Sequence, residues 1–149
     1  MEIFINKRFN GPPNSGNGGY VAGLIAKEIG KCCEVKLVAP PPLEKKLLLK
    51  KSNENYELYD GETLVCIANT TTVDNDPCEF VSFSDALLGS KNGLSKFEPI
   101  HALPDCFVCG PNRKEGDGLR LFTGPQDLDS KPSEDDLVST TWVPDKGLS

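Results

Sequence analysis

Two stretches of this 149-residue sequence hold residue types whose spacing could do chemistry. The first is Phe9 to Gly30, FNGPPNSGNGGYVAGLIAKEIG, where Asn17, Gly18 and Gly19 stand at the start of an expected helix. A helix start presents unpaired backbone N–H groups and the positive end of the helix dipole. That setting suits a carbonyl oxygen acquiring negative charge, and glycine lets a ligand approach the backbone. The same residues also make a plain strand-to-helix turn with Asn17 as N-cap. Gly16, Asn17 and Gly18 do not complete GxGxxG, because position 21 is valine, and no Lys-Ser or Lys-Thr pair follows. A phosphate loop or dinucleotide site is therefore not indicated.

The second stretch runs from His101 to Arg120. Cys106 and Cys109 have the spacing of half a zinc site, and His101, the single histidine, lies close by. Tetrahedral closure needs four ligands and no second pair follows, so no metal is expected. Gly110 and Pro111 discourage the helix that lowers a thiol pKa in redox CxxC motifs. This leaves a knuckle-like turn with partly buried cysteines. Arg113, Lys114 and Arg120 form a local basic group that could meet phosphates, although such residues are more often solvated surface. His101 has no serine or cysteine arranged as a partner and reads as a turn residue.

Composition bounds the class of protein. A hydrophobic fraction of 38% and a charged fraction of 26% are those of a folded chain with its own core. The formal net charge of -6 argues against a protein that grips a nucleic-acid backbone, and it favours solubility. MEIFINKRFN lacks the apolar core of a signal peptide, and no stretch reaches transmembrane length. Two of the six cysteines, Cys32 and Cys33, are adjacent, so the set reads as reduced thiols rather than a disulfide framework. The expectation is a cytoplasmic protein with no nucleic-acid or membrane partner and no cofactor.

The elements that must position these residues follow from periodicity. Ile3, Ile5 and Phe9 fit an opening strand that stops at Gly11 to Asn14. Val21, Leu24, Ile25 and Ile29 recur at helical spacing from Asn17 or Gly18, and Gly30 is the expected stop. Gly19, Gly23, Ala26 and Gly30 lie along one ridge of this helix and predict close packing against a sheet. Four strands follow: EVKLVA, ended by Pro40 to Pro42; KLLLKK; NYELY; and ETLVCIANTTT after the Asp60-Gly61 hairpin signal. Short links between them favour antiparallel pairing. The expected core comprises Ile3, Ile5, Val21, Leu24, Ile25, Ile29, Val35, Leu37, Leu47, Leu49, Leu58, Leu64 and Cys66. Farther on, SFSDALLGS predicts a short helical turn begun by Ser84 or Asp85, KNGLSKFEP a linker, Gln126 to Asp136 a mobile loop, and LVSTTWV a strand. Phe122-Thr123-Gly124-Pro125 echoes Phe9-Asn10-Gly11-Pro12, too short a match to establish a repeat. The layout is α+β, with one helix covering one face of an antiparallel sheet.

The element order, the SGNGGYVAGLIA helix start, PPPLEKKLLLK and YDGETLVCIA together resemble hotdog-fold proteins of the acyl-CoA thioesterase type. HALPDCFVCGPNRKEGDGLRLF is similar to the opening segment of other hotdog thioesterase-like domains, in which a CxxCG turn precedes a GLxL strand. The first similarity covers Met1 to Thr72 and the second Phe97 to Val143. Together they imply a first hotdog unit over 1–72, a linker with a short helical turn over 73–96, and over 97–149 a partial second unit or added strands. No central helix is expected in that second unit, as in a piece of a longer two-unit protein or a shortened one whose last segment serves the first sheet.

The resemblance implies binding or hydrolysis of an acyl-CoA or similar thioester by a homodimer. Gly18 and Gly19 would donate amides to the thioester carbonyl, with Asn17 or Asn14 orienting substrate or water. Tyr20 would line the substrate site, and Arg113 and Lys114 would meet the phosphates of coenzyme A. The family pattern of His-Gly-Gly followed by a helix acid reads here as Asn17-Gly18-Gly19, with Ala26-Lys27 where the acid is expected and Glu28 on the polar face. A carboxylate would have to come from a symmetry partner or from the second unit. The alternatives are a non-catalytic acyl-binding or protein-interaction module, and a zinc-stabilised interaction module built on Cys106 and Cys109.

Overall fold

Alternating apolar residues build an antiparallel sheet of five strands in the order β1-β3-β4-β5-β2. The strands are β1 (Glu2–Phe4), β2 (Cys33–Leu37), β3 (Lys46–Ser52), β4 (Asn55–Asp60) and β5 (Thr63–Thr70), and helix α1 (Gly18–Ile29) lies in sequence between β1 and β2. In this computed structural model residues 1–74, 80–128 and 137–144 are described, and the chain divides into two units, Met1–Asp76 and Pro77–Ser149. The architecture is α+β, as the periodicity predicts.

The period of two places Leu47 and Leu49 of β3 in the core while Lys46, Leu48 and Lys50 face outward. Two hairpins set the register. Asp60 pairs with Thr63 across a two-residue loop that begins at Gly61, whose φ of 60° suits glycine. A bulge in the β4–β5 ladder then moves the pairing from Leu58↔Cys66 to Tyr59↔Leu64. The extra residue, Val65, turns inward beside Cys66, so Val65 is buried and Leu64 only half-buried. Strict alternation over β5 predicts the reverse, which is why Leu64 stands in the expected core and Val65 does not.

The rest of the core is Ile3, Ile5, Val21, Ile25, Leu47, Leu49, Leu58, Cys66 and Ala68, with Leu24, Ile29 and Val35 packed at its margin. Leu37 leaves the expected set, because it ends edge strand β2 and stays 43% exposed. Helix α1 presents Val21 and Ile25 to this core. The ridge of small residues does not face the sheet: Gly19, Gly23 and Gly30 are exposed, and a Cβ at Gly23 would meet nothing within 4 Å. The expectation of close packing along that ridge is corrected. A helix side must be either the apolar stripe or its flank, and Val21 with Ile25 hold the stripe.

In the second unit, Phe83–Phe97 forms helix α2, a 15-residue element in place of the expected short turn and linker. Ser82 caps it, accepting from the amide of Asp85 at 3.2 Å. Gly89 lies in the segment expected to form the short helical turn, and Gly93 in the one that reads as a linker. Both let the backbone of Phe122 to Gly124 approach: a Cβ at Gly93 would stand 2.5 Å from the carbonyl oxygen of Phe122. Two short strands, β6 (Gly124–Pro125) and β7 (Val138–Ser139), pair with each other beside α2. Ser90 accepts from the amide of Thr141, and the Asn92 amide group donates to the carbonyls of Pro125 and Gln126. The expected short helical turn is therefore the first part of a longer helix that continues through the expected linker. Most of the predicted mobile loop, residues 129–136, and the last five residues lie outside the described residues.

Candidate functional site at the start of helix α1

The loop from Asn10 to Asn17 is held from three sides. Gly11 N–H donates to Ser15, Gly16 N–H to Pro41 at 2.7 Å, and Asn17 N–H to Phe9 at 2.8 Å. Gly16 lies against the core, where a Cβ would stand 3.0 Å from Val21 Cγ2 and 3.2 Å from Ile5 Cγ2. Here the glycine is required by close approach. The three prolines after β2 supply the opposite support, with Pro41 fully buried and Pro42 bridged to Ser15.

Between these segments opens a cleft of about 370 Å³, walled by Pro12, Pro13, Leu37, Val38, Pro40 and Pro41 and floored by Ser15, Gly16 and Gly18. Its walls are apolar and its floor includes the start of α1. Asn17 is the N-cap: its side-chain carbonyl accepts from Tyr20 N–H at 3.1 Å, and its backbone carbonyl accepts from Val21 N–H at 2.9 Å. The amides of Gly18 and Gly19 have no acceptor among the described residues, as expected for the first turn of a helix. Gly18 lines the cleft with its Cα side 3.2 Å from Leu37 Cδ1, measured for a Cβ built there, whereas Gly19 is exposed and outside the cleft wall.

The other expected site residues are placed as follows. Asn14 is exposed at the turn with φ 60°. Tyr20 stacks on Phe9 with ring centroids 3.9 Å apart and an interplanar angle of 9°, so its ring packs the loop onto the helix; burial raises its phenol pKa. Arg113 and Lys114 belong to the second unit. Arg113 is paired with Asp117 at 3.0 Å and donates to the Asp105 carbonyl at 2.9 Å, while Lys114 is exposed. A guanidinium held by two such bonds fixes the turn around it. Glu28 is exposed on the outer side of α1, and among the described residues no carboxylate, imidazole or thiol lines the cleft.

Sequence reasoning missed the Leu37 to Pro41 wall. The triple proline was its signal, since a rigid segment following an edge strand cannot fold back into the sheet. No group of three or more potential metal ligands occurs among the described residues, and no helix among them is long and apolar enough to cross a membrane. Comparisons with protein-family models, with curated proteins and with solved structures find no match to this chain.

Proposed function

We propose that the first unit is a hotdog domain that binds the acyl group of an acyl-CoA or similar thioester in the cleft at the start of α1. The observation that carries this reading is the pairing of apolar walls with the unaccepted Gly18 amide at the positive end of the helix. Such an arrangement fits an acyl chain that ends in a polar carbonyl. The strand order, with the helix between β1 and β2, supports the hotdog reading.

Binding is favoured over hydrolysis. Attack on a thioester needs a base or an activated nucleophile, and among the described residues the cleft floor offers only Ser15, whose hydroxyl is buried with no carboxylate or imidazole lining the cleft beside it. A second copy could complete the site along edge strand β2, where Leu37 and Val38 are exposed and the outer backbone edge has no partner strand among the described residues. A homodimer through this edge belongs to the same proposal.

The test is calorimetric titration of the purified chain with acyl-CoAs of several lengths, run beside a thiol-release assay. Saturable binding that strengthens with chain length and is lost in Leu37→Asp supports the reading. Absence of binding across the panel overturns it, and sustained thiol release overturns the preference for binding alone.

A further inference from the structure

The second unit carries an open pocket of its own, about 430 Å³, walled mainly by Leu94, Phe97, Ile100, Leu103, Leu121 and Phe122, with Cys109 on its surface. The neighbouring thiol, Cys106, is 3% exposed. The chain reverses between them in a turn closed by Gly110 N–H donating to the Cys106 carbonyl at 2.8 Å. Glycine is required at position 110, where a Cβ would stand 2.5 Å from the amide nitrogen and carbonyl oxygen of Cys106. The turn is pinned again by Leu119 N–H to Phe107 and Leu121 N–H to Val108. The two free thiols, three residues apart, thus sit on one closed turn, with Cys106 buried and Cys109 half-buried.

We propose that Cys106 and Cys109 are a thiol–disulfide exchange site that takes low-molecular-weight disulfides from the pocket side. Cys109, the accessible member, attacks one sulfur of the small disulfide, forming a mixed disulfide and releasing one thiol. Cys106, three residues away on the same turn, then attacks Cys109 Sγ and releases the second. In sum, two protein thiols and one small disulfide give the Cys106–Cys109 disulfide and two small thiols; the protein is oxidised, the small disulfide is reduced, and both protons end on the released thiols.

The same geometry sets the pace. No helix follows the pair among the described residues, and burial, with the influence of neighbouring Cys106 added, raises the Cys109 pKa to about 11. Because the thiolate is the attacking species, exchange is slow at neutral pH and quickens about tenfold per pH unit below that value. The site therefore responds to sustained oxidation rather than acting as a fast oxidoreductase.

The experiment equilibrates the folded, reduced chain with glutathione and its disulfide over a range of ratios, alkylates the remaining thiols and digests with trypsin. Residues 97–113 form one tryptic peptide that contains Cys106 and Cys109 and no other cysteine. The expected result is joint loss of both thiols in that peptide by loss of two hydrogens, reversed by dithiothreitol. Cys106→Ser should instead trap glutathione on Cys109, and Cys109→Ser should leave Cys106 unmodified. Full alkylation of the wild-type peptide at ratios that oxidise free dithiothreitol overturns the proposal. So does an adduct that forms on Cys106 but not on Cys109.

Discussion

Replacing Gly23 by alanine should stabilise the first unit. Gly23 is the sixth of twelve residues in α1, it is exposed, and a Cβ there would meet nothing within 4 Å. Its φ is not among the positive ones, so alanine adopts the same backbone without strain. With neither clash nor new contact, the change isolates intrinsic helix preference, about 0.8 to 1.0 kcal/mol in favour of alanine. For a unit of this size that corresponds to a melting temperature higher by about 3 to 8 °C. Differential scanning calorimetry reads the shift, and amide hydrogen exchange over α1 places it in the helix. Gly30→Ala is the control: that residue is the C-cap with φ 71°, where a Cβ costs about 1 to 2 kcal/mol. A melting temperature that is unchanged or lower in Gly23→Ala would refute the reasoning, and would mean that the exposed ridge of Gly19 and Gly23 packs against something in solution.

Three further outcomes are expected. Gly93→Ala should destabilise the second unit despite its helix preference, because the new Cβ would stand 2.5 Å and 2.7 Å from the carbonyl oxygens of Phe122 and Thr123; overpacking of this kind costs about 1 to 3 kcal/mol, read by thermal unfolding. Asn17→Ala should cost about 1 kcal/mol through loss of the cap to Tyr20, and Asn17→Asp should retain stability; acyl binding preserved in Asn17→Asp would assign Asn17 to capping rather than to the ligand. Stability of the first unit should fall as pH rises from 9 to 11, because burial lifts the Cys66 thiol from 9.0 to about 11. Over that window the unfolded chain releases a proton that the folded chain still holds, so the contribution is complete below pH 9 and lost through 11. Alkaline melts of Cys66→Ala, compared with wild type, measure it.

Much of the first unit could be read from local chemistry. Alternation placed Leu47 and Leu49 inward, Asp60-Gly61 placed a hairpin, and the expected start at Asn17 or Gly18 and stop at Gly30 agree with α1, because caps and turns are decided by a few neighbouring atoms. The second unit was less legible. Gly89 and Gly93 look like helix breakers in isolation, and only the backbone of Phe122 to Gly124 lying against them explains why a helix of fifteen residues tolerates both. The candidate cleft was half visible, with its floor at Asn17 and Gly18 and its wall hidden in a proline run distant in sequence.

Periodicity and turn chemistry determine the class of fold, the limits of α1 and the location of an amide-rich helix start, all of which depend on interactions between residues close in the chain. Tertiary structure alone decides which side of each helix is buried, and it reverses the expected roles of the glycines. Gly19 and Gly23 of α1 face outward beside the Val21–Ile25 stripe, while the glycines of α2 receive a neighbouring backbone. The bulge that buries Val65 is likewise a property of two paired strands, since one extra residue changes the facing of every side chain beyond it.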